Sequence, residues 1–311
     1  MNNQQMQGIK LAFLTALISG VSNFLNKKII VSGIDPVILT IAKNGLVGLA
    51  LLGFSFFLLK DLKNYSLKNW SKLILIAVVG GCIPFILYFK GLALTSATVG
   101  SFIHKTMFIW VAILAVIFLK EKMNKFQLVG LAVLFLGLLP IVKFSSFSIG
   151  RGELMMFVAV AFWSTEVILI KKFVQEIDYR IMAVFRMVLG TFFIAFFSLA
   201  TGGISGIFKL TLFDWSKIVL VGSLLFGYTY TWYRSLSLAP ANVATSILTL
   251  ALPITIMLSS VNSIKLPNIN DLTSVIFTAA GVLLFIKSFS QIEPFASIDF
   301  VPIHSRWSDP L

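Results

Sequence analysis

The chain has 311 residues, 58% of them hydrophobic and 12% charged, with a mean hydropathy of +0.96 and a formal net charge of +13. An ordinary soluble domain carries roughly 25% charged residues, and a soluble monomer this apolar would expose intolerably large patches, so a soluble globular fold is excluded. The basic excess would suggest nucleic acid on a soluble protein; here it reads as loop charge flanking membrane spans, and no nucleic-acid partner is expected.

A bilayer core about 30 Å thick takes roughly 20 apolar residues per helical crossing. In chain order, apolar runs predict spans at 9–30, 36–59, 70–91, 96–119, 126–142, 152–170, 178–200, 215–236, 240–262 and 271–289. The predicted fold is all-α and integral to the membrane, with ten transmembrane helices. The first run resembles a signal peptide in length, but its leading segment holds Lys10 alone and its pattern recurs at the start of the second half, so it is read as a helix. Residues 290–311 form a mixed, proline-containing tail expected outside the bilayer. The single Cys82 falls within the third span, which rules out an intramolecular disulfide. With the N-terminus inside, the inner loops hold Lys60, Lys63, Lys68, Lys120, Lys122 and Lys125. The outer ones are poorer in Lys and Arg, so both termini are placed inside.

The chain repeats itself. Gly8, Phe13, Lys27 and Lys28 fall on Gly152, Phe157, Lys171 and Lys172. In the same order Ile34-Asp35 matches Ile177-Asp178, Lys43 matches Arg186, and Trp70-Ser71-Lys72 matches Trp215-Ser216-Lys217. Gly137 and Lys143 match Gly281 and Lys287. Matches at Trp, Lys, Asp and Gly outweigh the leucine matches that any two apolar helices share. The chain therefore divides into a first five-helix repeat at 8–143 and a second at 152–289. An odd number of spans per half turns the second half upside down, giving an inverted repeat.

Five plus five helices with these signatures resemble the EamA-like family of the drug/metabolite transporter superfamily. The residues that carry the resemblance are Leu119-Lys120-Glu121-Lys122 with Gln127, Gly130 and Gly137, the small-residue starts at 96–101 and 240–245, and Pro253. Ile109 departs from the pattern where a proline is expected, and Lys265 and Ser274 replace Glu121 and Gly130 in the second half. The resemblance implies a multi-pass transporter of the cell (plasma or inner) membrane that moves a small metabolite, usually outward. It also implies that the fifth helix of each half lies at the periphery.

Polar residues inside a membrane usually face a bundle interior or a water path. Ser19, Ser22, Asn23 and Asn26 share one face of the first helix; they read as a cavity wall or as interhelical hydrogen-bonding groups. Ser101, His104, Lys105 and Phe108 form a similar face on the fourth helix. A rise of about 1.5 Å per residue puts Lys105 roughly 14 Å from the outer end, near the midplane. Lys105 could meet an anionic group and His104 exchange a proton, or the two could be structural. Lys43 and Arg186 are repeat mates, and Glu166 lies at a depth where it could pair with Arg186 or act as a coupling carboxylate. Trp163 shares a face with Glu166, and Tyr228, Tyr230, Trp232 and Tyr233 crowd the eighth helix as pocket or interface aromatics. Gly80-Gly81 with Pro84, and Pro253, mark helix bends.

No Walker A, HExxH or GxSxG sequence occurs, and two histidines with one cysteine cannot build an ordinary His/Cys metal site. Neither an enzyme, a cofactor nor a metal is expected. The chain reads as a secondary or facilitative exporter of a small metabolite, such as an amino acid or an amphipathic compound. Alternating access would work around Ser19, Asn23, Asn26, His104, Lys105, Trp163 and Tyr230, with Lys43, Glu166 and Arg186 as buried charges. The partners are then that substrate and the lipid bilayer, with a proton as candidate coupling ion and a homodimer left open. A non-transporting membrane scaffold or sensor is the alternative.

Overall fold

The computed structural model describes residues 3–95, 97–141, 150–264 and 266–290, all helical or irregular, with no strand among them. The helices in chain order are α1 (Asn3–Val31), α2 (Pro36–Phe54), α3 (Leu67–Gly81), α4 (Ile83–Leu92), α5 (Ala97–Lys105), α6 (Met107–Phe118), α7 (Lys125–Leu138), α8 (Arg151–Phe173), α9 (Tyr179–Ala200), α10 (Leu212–Leu238), α11 (Ala241–Leu248), α12 (Ala251–Ser263) and α13 (Ile269–Ser290). Lys143, Lys265 and the expected tail beyond Ser290 lie outside the described residues.

Repeated start signals begin repeated helices. Asp35 Oδ1 accepts from the Val37 and Ile38 amides, with Pro36 filling the first helical position of α2. Its mate Asp178 accepts from the Arg180 amide and pairs with the Arg180 guanidinium at 2.9 Å. Each device satisfies amides that a helix start leaves unpaired.

Three expected spans are broken. Leu67–Leu92 divides at Cys82, Val99–Phe118 at Thr106, and Ala241–Ser263 near Thr249. Pro84 has no N–H to give the carbonyl four residues back, that of Gly80, so the ladder opens there. Pro253 stands in the same relation to Thr249. Thr106 donates its hydroxyl to the Ile103 carbonyl at 2.7 Å and Thr249 does so to Ser246 at 2.6 Å, both competing with the backbone ladder. Thr106 divides the stretch that carries Ser101, His104, Lys105 and Phe108, and Phe108 packs into the main core from α6.

Among the described residues, eight helices or helix pairs are long and apolar enough to cross a membrane, or nine if the bent pair Gly203–Lys209 and Leu212–Leu238 is one span. The expected span at 126–142 is a shorter apolar helix, α7, continued by the 3-10 turn Leu139–Ile141. The span expected at 36–59 also ends early: α2 stops at Phe54, and a 3-10 helix, Phe56–Asn64, follows it. Large side chains such as Leu49, Phe192, Phe196 and Leu283 stand exposed around the outside. That is the arrangement that lipid tails solvate.

Contacts fix the directions of the helices. Ser235 of α10 donates to the Gly8 carbonyl of α1 at 2.8 Å, and Thr15 donates to Thr231 at 2.8 Å, so α1 and α10 run antiparallel. Lys171, at the end of α8, donates to the Leu236 and Ala239 carbonyls at the same end of α10. The start of α1 and the end of α8, equivalent helices of the two repeats, therefore lie together, and the halves are opposed. The last helices of the halves, α7 and α13, pack on each other through glycines. A β-carbon on Gly281 would stand 2.7 Å from Leu134, one on Gly130 3.1 Å from the Gly281 carbonyl, and Ser274 donates to the Gly137 carbonyl at 2.6 Å.

Candidate substrate site

The broken helix α3–α4 organises the centre of the molecule. The Gly80 carbonyl, which Pro84 cannot satisfy, accepts instead from the second half: from the Trp163 indole N–H at 3.2 Å and from Arg186 Nη2 at 3.5 Å. Glu166 lies one turn along α8 from Trp163 and folds its carboxylate over Gly80. A β-carbon there would stand 2.0 Å from the carboxyl carbon. The same carboxylate oxygen accepts from Arg186 Nε at 3.0 Å and from the Tyr233 hydroxyl at 2.9 Å. Beside it α3 and α9 touch backbone to backbone, a β-carbon on Gly81 falling 2.9 Å from the Gly190 α-carbon. Only side-chain-free positions permit this approach. Glu166 is buried and the Arg186 side chain is only 14% exposed, so each charge depends on the other.

Next to this neutralised pair stands an aromatic box. His104 meets the Trp163 ring edge-to-face at 5.0 Å and the Tyr88 ring at 5.7 Å. Phe85 meets Trp163 at 5.2 Å, and Arg186 lies 5.7 Å from the Phe85 ring centre. Tyr88, Phe85 and His104 are only half-buried, so their faces remain open to a partner. Lys105 ends α5 at the Thr106 break. It is half-buried, and among the described residues it has no hydrogen bond or ion pair, so its charge is compensated by no side chain. The arrangement offers flat apolar surface, one uncompensated cation and a polar edge.

The other expected residues lie elsewhere. Lys43 donates to Asn26 Oδ1 at 3.1 Å, while Asn26 donates to Ser22 at 2.7 and 3.0 Å, making a separate polar group between α1 and α2. Asn23 is exposed and Ser19 half-buried on α1. Tyr230 does not join the Trp163 box: its hydroxyl lies 3.3 Å from that of Tyr179, and its ring meets Phe54 at 5.5 Å, near the Gly8 end. Phe85 and Tyr88 do not stand out in the sequence; the α3–α4 break turns them inward. The spacing of Pro84 from Gly80 is the signal that a backbone acceptor is free there.

A second device holds the turn between α10 and α11. Glu121 accepts from the Ala241 amide at 2.8 Å and the Asn242 amide at 3.2 Å, capping α11, while Lys171 takes the last carbonyls of α10. An anion at a helix start and a cation at a helix end both suit the helix dipole. Burial still holds the Glu121 carboxyl above the usual carboxylate range, against the lowering pull of its amide partners and Lys171.

A bundle of opposed, apolar helix repeats closing on a buried ionic and aromatic centre is a multi-pass protein of the cell membrane. The model of the EamA-like transporter family matches residues 6–143 and again 150–287, so the chain belongs to that family and carries its unit twice. It is similar to the uncharacterized transporter YyaM of Bacillus subtilis (strain 168), 27% identical over 173 residues. That match covers 54% of this chain and spans only 57% of the relative's length. A solved crystal structure of a protein that is 13% identical shares the fold, with a TM-score of 0.76 over 93% of this chain and 100% of that one.

Proposed function

We propose that the protein is a secondary or facilitative transporter that exports a small metabolite carrying an anionic group and an apolar or aromatic body, such as an amino acid. Lys105 carries this reading: a half-buried cation inside a span, without a counter-ion among the described residues, costs folding energy unless a ligand or water path uses it. The carboxylate of a substrate would meet Lys105 while its body lies against Tyr88, His104 and Trp163. The Glu166–Arg186–Tyr233 group forms the floor of the site and joins α3, α8, α9 and α10. Ten crossings, with α7 and α10 included and both termini inside, complete the reading, and the basic residues clustered toward the Gly8 end support that orientation. Alternating access would rock the halves about the Gly80 and Thr106 breaks. His104, which makes no hydrogen bond among the described residues, is the first candidate for a coupling proton and Glu166 the second. Export from liposomes loaded with labelled amino acids, sugars or cationic dyes tests the proposal. A scaffold or sensor predicts no flux of any of them.

A further inference from the structure

The segment 56–68 is an elbow between α2 and α3 with the sequence Phe-Phe-Leu-Leu-Lys-Asp-Leu-Lys-Asn-Tyr-Ser-Leu-Lys. Leu58, Leu59, Leu62 and Tyr65 pack on the main core, which fixes the elbow against the bundle. Its other side carries Phe56, Phe57 and Leu67, the last two 78% and 89% exposed, together with the exposed Lys60, Lys63 and Lys68. Lys60 lies 5.8 Å from the Phe57 ring centre. The elbow sits at the Gly8 end, because Phe54 just before it touches Tyr230, and Lys72 just after it pairs with Glu176. Apolar side chains and ammonium groups interleaved at a helix end match the boundary where acyl chains meet headgroups.

The equivalent elbow of the second half tests the meaning of those lysines. The 3-10 helix Gly203–Lys209 and the start of α10 keep the exposed apolar groups, Phe208, Leu212 and Phe213. Its charge is different: Lys217 is paired with Asp214 at 3.1 Å, and the other lysine of that elbow is Lys209. Both elbows suit an interface, but the first presents three exposed lysines, Lys60, Lys63 and Lys68, beside Asp61 in the sequence and with Glu176 within electrostatic reach of Lys68.

We propose that elbow 56–68 binds the phosphate headgroup of an anionic glycerophospholipid through Lys60, Lys63 and Lys68, with Phe56, Phe57 and Leu67 against its acyl chains. The second elbow takes lipid without regard to charge. Surface potential of an anionic leaflet acts on such clusters within a Debye length.

Native mass spectrometry of the full chain, released from micelles holding equal phosphatidylglycerol and phosphatidylcholine, reads the bound-lipid ratio. The wild type is expected to retain phosphatidylglycerol several-fold over phosphatidylcholine. Lys60→Gln/Lys63→Gln/Lys68→Gln should bring the ratio near unity, Lys60→Arg/Lys63→Arg/Lys68→Arg should keep it, and Lys209→Gln/Lys217→Gln should leave it unchanged. Should the triple glutamine variant fail to stay monodisperse, Lys60→Gln/Lys63→Gln is measured in its place, with a reduced ratio expected. No preference in the wild type, an unchanged preference in the glutamine variant, or equal loss in the Lys209/Lys217 control overturns the proposal. Displacement of the bound lipid by millimolar inorganic phosphate would assign the site to free phosphate instead.

Discussion

Glu166 lies so close over Gly80 that a β-carbon on the glycine would fall 2.0 Å from the carboxyl carbon. All the atoms it would meet belong to the end of the Glu166 side chain, so the overlap is relieved by moving that carboxylate. Gly80→Ala is therefore expected to push the carboxylate off both partners and leave a largely buried guanidinium uncompensated, a loss of up to about 3–5 kcal/mol. A melting curve of the purified variant checks this, and a midpoint equal to wild type would show that the floor of the site can shift aside.

The ion pair itself can be taken apart. Glu166→Ala and Arg186→Ala should each destabilise the protein, and removing both should cost less than the two losses together, since neither charge is then left alone. Reversing the charges, Glu166→Arg with Arg186→Glu, should recover part of the loss. Strict additivity across the cycle, read by thermal unfolding and by flux, would mean that the two side chains do not act as a unit.

Glu121 gives a pH dependence of definite sign. Burial raises its folded-state value above that of the unfolded chain, so its contribution is full below the unfolded carboxylate range and is lost as pH rises through the folded value. Glu121→Gln resembles the protonated acid. It should flatten this part of the stability profile and cost little at neutral pH. Glu121→Ala leaves the two α11 amides unpaired in a buried turn and should cost about 1–3 kcal/mol at any pH. Unfolding midpoints between pH 4 and 8 separate the two variants, and a profile unchanged by Glu121→Gln would contradict this sign.

The opposed repeats are legible in the sequence because their signals are chemical and local: Asp35 and Asp178 before helix starts, Trp70 and Trp215, and the glycines that pair α7 with α13. The closeness of Glu166 and Arg186 can be read from depth alone, since two opposite charges at similar levels in a low-dielectric interior have few other partners. What escapes is backbone chemistry. The Thr106 break has no proline to mark it and rests on a hydroxyl competing for the Ile103 carbonyl, so helical periodicity does not reveal it. The inward turn of Phe85 and Tyr88 depends on how α4 leaves the Cys82 break, a geometry that periodicity does not encode. Depth groups Tyr230 with Trp163, but rotation about the α10 axis sends it to Phe54 and Tyr179.

Flux through purified protein in liposomes, wild type beside Lys105→Ala and the surface control Lys209→Ala, addresses the transport proposal most directly. A charge-assisted hydrogen bond contributes about 1.5–3 kcal/mol, so Lys105→Ala should reduce flux of an anionic or zwitterionic substrate by tenfold or more, while Lys209→Ala carries it at the wild-type rate. Wild-type liposomes that pass no amino acid, sugar or dye, or a Lys105→Ala protein that transports as well as the control, would contradict the assignment of this intramembrane cation to a substrate.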